Sequence, residues 1–215
     1  ASMPIMQWFT ADVPNSDTRV GSRASVWYEG RFYDNLYVRQ RGGYTSYGSQ
    51  KFNFNRGYNL WVNETLGRVG EVNLNSSGAD GNAFRVSAAY AVYRAAGHPA
   101  CESFPVALVR NGSFQRIAHL IEQVDDEFLE RHGFDRNGAL YKFVQRLGEQ
   151  NTPGNVVNGD YSGSPAFKDE NPIYGVEKKT RIHETFADYA AFTAAIAPSR
   201  ALEARRKTLF DNLNL

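Results

Sequence analysis

A lysine and an arginine flank a glycine- and tyrosine-rich stretch, and both are cations that can contact phosphate. Arg41 opens this stretch, and Lys51 follows it at the head of a segment in which large apolar and polar side chains alternate. An ammonium group after a flexible loop can direct a point charge at the α- and β-phosphates of a nucleotide, and a guanidinium can grip phosphate oxygens with several donors. Two ordinary alternatives stay open: Lys51 as a solvated edge residue, and Arg41 as a group that holds a neighbouring carboxylate to shape the turn.

Acidic residues in the middle of the chain are the next candidates. Glu122 closes a predicted hairpin, where its carboxylate could meet Lys51 or an adenine amine, or could stand as an exposed acid at a strand end. Asp125, Asp126 and Glu127 are consecutive carboxylates at the start of a predicted helix, where such groups usually cap backbone N–H groups and stay solvated. We therefore predict no metal site there.

Composition excludes several classes of protein. The chain has 215 residues, with 24 Lys+Arg against 23 Asp+Glu and a formal net charge of +1, which argues against a dedicated nucleic-acid binder. No apolar run approaches the roughly 18 residues that cross a bilayer. The single Cys101 rules out a disulfide framework, and the four histidines lack the spacing of metal ligands. We expect a monomer without a membrane span, a nucleic-acid partner or a metal-ligand set.

Two β-hairpins are predicted from local patterns. Residues 23–39 are rich in Val, Tyr, Trp and Phe and are interrupted by Glu29-Gly30 as a turn. Asn111-Gly112 joins the β-rich segments 104–110 and 113–121 and tolerates the positive φ angles of a type I′ turn. Antiparallel strands should therefore meet at both places.

The other elements follow from periodicity and from turn-forming residues. Phe84, Ala88, Ala91, Val92 and Ala95 fall on one face of a predicted helix that Gly97 ends. The remaining predictions are strands at 51–55 and 140–144, helices at 83–96, 184–197 and 201–213, and a short helix that stops at Gly133. Residues 148–172 contain mainly Asn, Gly, Ser, Pro and Asp and are expected to form a mobile surface loop.

The middle of the chain contains the string IEQVDDEFLERHG at residues 121–133, followed by GALYK at 138–142. These strings resemble the core signature of the CotH family of spore-coat protein H kinases. Further blocks agree and stand in family order from about Tyr37 to Lys142: Arg41-Gly42 ahead of Lys51, Asn73-Leu74-Asn75 through Asp80 to Arg85, Gly97-His98-Pro99, and Arg110-Asn111-Gly112. Together these blocks are specific, although each alone is weak.

The resemblance implies a protein-kinase-like fold that binds ATP with magnesium and phosphorylates serine-rich protein segments. We accordingly expect an α+β architecture: a kinase-like small lobe at 1–147, with an antiparallel sheet, a packed helix and the core motifs at 37–142. The loop at 148–172 and a helical segment at 173–215, which begins a second lobe, would follow. By resemblance, the protein belongs in a spore coat, outside the cell or at the cell surface.

Site residues are assigned from the pattern and the resemblance together. The nucleotide-binding candidates are Lys51, Arg41, Glu122 and Lys142, and the structural or hinge candidates are Arg85, Val124 and Asp125. Lys142 is included because its position in the family belongs to the nucleotide side of the fold. Arg85 could pair with Asp80 or Glu122. The helix at 83–96 carries no acidic residue, so the usual kinase pair of a lysine and a helical glutamate cannot be built from it.

Two features of the sequence leave functions other than phosphoryl transfer open. CotH proteins carry a later asparagine-and-aspartate loop and a tryptophan–aspartate strand that we would assign to catalysis and to magnesium, and nothing after Lys142 resembles either. We therefore assign no catalytic residue and expect the chain, truncated before that half, to be inactive alone. The tyrosines Tyr44, Tyr47 and Tyr58 favour an alternative, a surface adhesion or carbohydrate-associated module with the same fold. A pseudokinase scaffold that binds nucleotide without turnover is a third.

Overall fold

The computed structural model describes residues 3–42, 48–55, 59–76, 84–145, 174–185 and 187–212. The chain forms two compact units, Ala1–Phe134 and Asp135–Leu215, and each is described by itself. The predicted loop at 148–172 and the tyrosines Tyr44, Tyr47 and Tyr58 lie outside the described residues. These predictions therefore stay predictions.

A closed barrel of seven strands forms most of the first unit. Its strands are β1 (Ile5–Phe9), β2 (Ser22–Tyr28), β3 (Arg31–Gln40), β4 (Gln50–Asn53), β7 (Glu71–Ser76), β8 (Ser103–Arg110) and β9 (Ser113–Glu122). They are hydrogen-bonded in the order β1-β2-β3-β4-β7-β9-β8, and β1 closes the barrel by pairing in parallel with β8. The remaining strands, β5 (Leu60–Asn63) and β6 (Gly67–Val69), form a separate hairpin.

The barrel interior is a packed hydrophobic core. Alternate residues of each strand point inward, as the two-residue period of a β-strand requires. The rings of Trp8 and Phe52 meet edge to face inside it, with their centroids 5.4 Å apart. Side chains fill a barrel of this strand number, so functional groups must lie on its outside or at its ends.

Both predicted hairpins are confirmed. Glu29 and Gly30 join β2 to β3 with φ angles of 48° and 72°, and Asn111 and Gly112 join β8 to β9 with φ angles of 50° and 81°. Positive φ at two successive residues is the signature of a type I′ turn, whose twist matches that of the strands.

The described part of the first unit has three helices beside the barrel: α1 (Val13–Ser16), α2 (Arg85–Ala95) and α3 (Asp126–Arg131). Helix α2 packs against β8, so the predicted helix is confirmed, but its predicted buried face is wrong. Phe84 and Val92 are 58% and 68% exposed, whereas Val86 and Tyr90 pack against a small apolar cluster on the outside of the barrel. Three of the five residues that define the predicted face are alanines, whose side chains bury little area, so the larger Val86 and Tyr90 on the opposite side decide which face packs.

In the second unit, the described residues form a two-stranded sheet and two helices. Strand β10 (Tyr141–Gln145) pairs antiparallel with β11 (Tyr174–Lys178). The helices are α4 (Ala187–Ala195) and α5 (Leu202–Asn212), in the places that the sequence predicts with somewhat wider bounds.

The expected mixture of strands and helices is confirmed, but the sheet is a closed barrel and not the small lobe of a kinase. Strand β1, which the sequence patterns did not reveal, closes it by joining β2 to β8. Among the described helices, none is both long enough and apolar enough to cross a bilayer.

Candidate functional site

A row of polar side chains follows one strand on the outside of the barrel. Val72 and Leu74 of β7 belong to the barrel core, so the alternating residues Glu71, Asn73 and Asn75 face the other way. We call these three residues the polar row. Strand β4 pairs with β7 along this row.

Lys51 is held by the first residue of the polar row. It lies opposite Asn73 in the β4–β7 register, and its Nζ forms an ion pair with Glu71, two residues earlier on the same face. Asn53 donates a second hydrogen bond to the Glu71 carboxylate. The Lys51 side chain is only 12% exposed, so its ammonium is held in one place and is less screened by water than a surface lysine would be.

Arg41 is held by the other end of the row. Its guanidinium donates to Oδ1 of Asn75, and burial lowers the pKa of this guanidinium from its ordinary value. The Arg41 backbone N–H also donates to the carbonyl of Ser49, 3.0 Å away, which joins the two ends of the glycine-rich stretch. The row therefore orients one cation at each end.

Asn73 stands between these two cations and carries an unsatisfied acceptor. Its Nδ2 donates to Oε1 of Gln123 at 3.0 Å, whereas its Oδ1 is buried and has no hydrogen-bond partner among the residues that the structure describes. A buried carbonyl oxygen without a partner is uncommon in folded proteins and marks a place where a donor is expected. Gln123, which follows β9, thus contacts the polar row, whereas Glu122, the last residue of β9, does not.

Glu122 has a partner that the sequence analysis did not anticipate. Its carboxylate accepts from Nε of Arg131 at 2.8 Å and from the backbone N–H of Glu102 at 3.0 Å, and the residue is 6% exposed. In the β7–β9 register it is paired with Val72. The predicted contact between Glu122 and Lys51 is therefore wrong: Lys51 forms its ion pair with Glu71 instead. Contact of Glu122 with an adenine amine stays a prediction.

The hinge candidates lie at the start of α3. Asp125 caps this helix by accepting from the backbone N–H groups of Glu127 and Phe128, at 3.1 and 3.3 Å. Burial raises the pKa of Asp125 to about 6. Val124 packs against the small apolar cluster beneath α2, so this segment is anchored at both residues.

The remaining candidates lie elsewhere. Arg85 begins α2 and is exposed, and Asp80, one of its proposed partners, is outside the described residues. Lys142 belongs to the second unit, where it is exposed and lies opposite Glu177 in the β10–β11 register. The nucleotide-binding role of Lys142 stays a prediction.

Metal ligands are not grouped in the part of the chain that the structure describes. No three His, Cys, Asp or Glu side chains there are placed to hold an ion. The carboxylate nearest the two cations, that of Glu71, is already engaged by Lys51 and Asn53. The described residues therefore do not fit a dedicated magnesium site.

Sequence reasoning missed Glu71 and Arg131, and one of them had a visible signal. Residues 71–76, Glu-Val-Asn-Leu-Asn-Ser, alternate polar and apolar side chains as a strand with one polar face should. That alternation would have placed Glu71 on the same face as Asn73. Arg131 gave no comparable signal, because its contact with Glu122 depends on how α3 folds back on the strand end.

Comparison of the chain with known protein families gives one match. Residues 38–196 match the family model described as CotH kinase protein, which covers nearly three quarters of the chain. The match begins within β3 and reaches the end of α4, so it extends past the last sequence block at Lys142. No curated protein matches the chain.

Proposed function

Because the chain belongs to the CotH kinase family, we propose that the first unit binds the phosphates of ATP on its outer β4–β7 face. Lys51 and Arg41 are the phosphate ligands in this proposal. Glu71 and Asn75 position them.

The ion pair between Lys51 and Glu71 is the observation that carries the proposal. Protein kinases place a strand lysine on the α- and β-phosphates and orient it with a glutamate. In this chain helix α2 offers no carboxylate, and the neighbouring strand supplies one. A lysine whose ammonium is fixed before the ligand arrives loses less conformational entropy on binding than a free surface lysine.

Arg41 adds the second cation. Its planar guanidinium presents several donors, of which Asn75 accepts one. A guanidinium partly withdrawn from water gains more from contact with an anion than an exposed one does. Lys51 and Arg41 thus give a site with two positive charges and one carboxylate, which suits a polyanion.

The outer location follows from the packing of the barrel. Its interior is filled by core side chains, including Trp8 and Phe52, so a nucleotide has to bind on the surface. The Oδ1 atom of Asn73, buried between the two cations without a partner, is a place where a ligand N–H could donate.

Magnesium enters the proposal only as the ion that accompanies ATP. The described residues do not form a ligand set for it. Transfer of the terminal phosphoryl group to serine-rich protein segments is proposed for the full-length protein. A pseudokinase would bind ATP in the same way and leave it intact.

Titration calorimetry with ATP and magnesium tests the site in the 215-residue chain. We expect Lys51→Met to weaken ATP binding by about 10- to 150-fold, the equivalent of one charged hydrogen bond. The matched control is Lys207→Met, since Lys207 is 76% exposed on α5 and should not affect affinity. The double variant Lys51→Met/Glu71→Gln removes the carboxylate that the single change leaves unpaired, so it separates lost binding from lost folding.

Two results would contradict the proposal. One is no heat of binding with ATP for a folded wild-type chain. The other is an equal affinity for ATP in the Lys51 variants and in the Lys207→Met control. A longer protein that binds ATP but transfers no labelled γ-phosphate to serine-rich peptides would favour the pseudokinase alternative.

A further inference from the structure

A cavity of about 500 Å³ opens on the first unit, away from the residues of the polar row. We call it the β5 pocket and define it by Tyr28, Glu29, Arg31, Trp61, Glu64 and Phe104. These residues come from the β2–β3 hairpin, from β5 with its following turn, and from β8. Its volume lies within the range of small-ligand sites.

Aromatic side chains form the walls of the pocket. Trp61 and Phe104 are half-buried and supply the aromatic surfaces that a ligand can contact. Tyr28 is 1% exposed, so its ring is packed in the barrel core, and burial raises the pKa of its hydroxyl to about 12. An aromatic wall of this kind offers apolar contact at little cost in conformational entropy.

Arg31 lies over the ring of Trp61. Its guanidinium carbon lies 5.7 Å from the centroid of the Trp61 ring, at the distance of a cation–π contact. Arg31 therefore already occupies the position over the Trp61 ring where a cationic ligand would bind.

Hydrogen-bond donors and acceptors both line the pocket beside the aromatic side chains. Glu29 and Glu64 bring acceptors, and Arg31 brings donors. Asn63 also lines the pocket, and its Oδ1 accepts from the backbone N–H groups of Thr65 and Leu66, which leaves Nδ2 as the donor end of its side chain. Glu29 has a φ angle of 48°, a conformation that favours Gly or Asn, so its position in the turn is an unusual one for a glutamate.

We propose that the β5 pocket binds a neutral pyranose ring of an oligosaccharide. A sugar ring presents C–H groups on one face, which suit an aromatic surface, and hydroxyl groups at its edge, each of which both donates and accepts. The mixture of carboxylates, amide and guanidinium at the rim matches such hydroxyls. A quaternary ammonium ligand fits less well than a neutral sugar, because the positive charge of Arg31 already lies beside Trp61 and would repel it.

This site is independent of the proposed nucleotide site. The β5 pocket shares no residue with the polar row or with Lys51 and Arg41. Failure of ATP binding would therefore leave the pocket proposal unaffected, and the reverse also holds.

Saturation-transfer NMR and calorimetry with cellopentaose, chitopentaose and maltopentaose test the pocket in the 215-residue chain. Tetramethylammonium serves as the cationic probe. We expect at least one sugar to bind, and Trp61→Ala to weaken it by about tenfold or more. Trp27→Ala is the matched control, because Trp27 is 43% exposed on β2 and does not line the pocket. Glu64→Gln changes only an exposed rim residue, so its expected several-fold loss of affinity does not depend on folding.

The outcomes are distinct. A sugar affinity lowered by Trp61→Ala and Glu64→Gln, and unchanged by Trp27→Ala, supports the proposal. It is overturned if no sugar binds up to about 10 mM, the limit of weak specific binding. Equal losses with both tryptophan variants, or binding of tetramethylammonium alone, overturn it as well.

Discussion

The guanidinium of Arg131 grips the carboxylate of Glu122 from the last turn of α3, with Nε 2.8 Å from Oε1. This pair joins the helix to the end of β9. Glu122 is 6% exposed, and Glu102 donates a backbone N–H to the same carboxylate. The position of the segment between β9 and α3 therefore depends on a buried ion pair.

Removing one partner of this pair should destabilise the first unit strongly. We expect Arg131→Met to lower the free energy of unfolding by about 3 to 5 kcal/mol, because it leaves a buried carboxylate without its counter-charge. Urea unfolding followed by tryptophan fluorescence measures this change.

Glu64→Gln is the control for that measurement, since it neutralises an exposed carboxylate in the same unit. It should change stability by no more than about 0.5 kcal/mol. If Arg131→Met is as mild as Glu64→Gln, the pair does not stabilise the fold.

The β8–β9 turn is tied to β1 by one asparagine side chain. Asn111 Oδ1 accepts from the Thr10 N–H and Asn111 Nδ2 donates to the Thr10 carbonyl, both at 3.0 Å. Asn111→Ala should cost about 2 to 4 kcal/mol, from two lost hydrogen bonds and from the positive φ angle that alanine disfavours. Thermal and urea unfolding would measure the loss.

Asn35→Ala provides the matched comparison. Asn35 has a φ angle of 53°, and among the described residues its side chain has no hydrogen-bond partner. Asn35→Ala should therefore lower the free energy of unfolding by only about 1 kcal/mol, the cost of the positive φ angle for alanine. Equal losses at Asn35 and Asn111 would show that the side-chain bonds to Thr10 add nothing.

Local sequence patterns are enough to predict the turns, but they do not predict the closed barrel. Asn111-Gly112 specifies its own hairpin, because the required φ angles depend on these two residues alone. Closure needs Ile5–Phe9 to find β8, about a hundred residues later, and no local pattern encodes such a pairing. The mixture of strands and helices could be predicted from the sequence, and the closed topology of the barrel could not.

The same distinction applies to the candidate site. Lys51 could be singled out by its place after a glycine-rich stretch, but its partner Glu71 could not, since β4 pairs with β7 across the intervening β5–β6 hairpin. Helix α2 has no carboxylate to offer, so the sequence pattern pointed instead to Glu122, which closes the predicted hairpin. Contacts between strands distant in sequence decided the actual pairing.

Cys101 should be unreactive in the folded protein. It is 5% exposed, and burial raises the pKa of its thiol to about 11, so thiolate is scarce at neutral pH. Ellman's reagent at pH 8 should label it only after denaturant is added. Rapid labelling of the native chain would mean that the region around Cys101 opens readily.

Asp125 should make the stability of the first unit depend on pH in an unusual direction. Burial raises its pKa from 3.8 to about 6, so between these values the folded state binds more protons than the unfolded state. Its contribution to stability is therefore present at low pH and falls as pH rises through 6, whereas a carboxylate with a lowered pKa behaves in the opposite way.

Asp125→Asn isolates this effect, because asparagine also caps helices and does not titrate. The stability difference, variant minus wild type, should grow as the pH rises from about 4 to about 7, since only the wild type must ionise a buried group over this interval. Urea unfolding of both proteins at several pH values gives the difference directly, and the titrations of all other groups cancel in it. A difference that stays constant with pH would mean that Asp125 keeps an ordinary pKa, and that its two backbone hydrogen bonds offset the effect of burial.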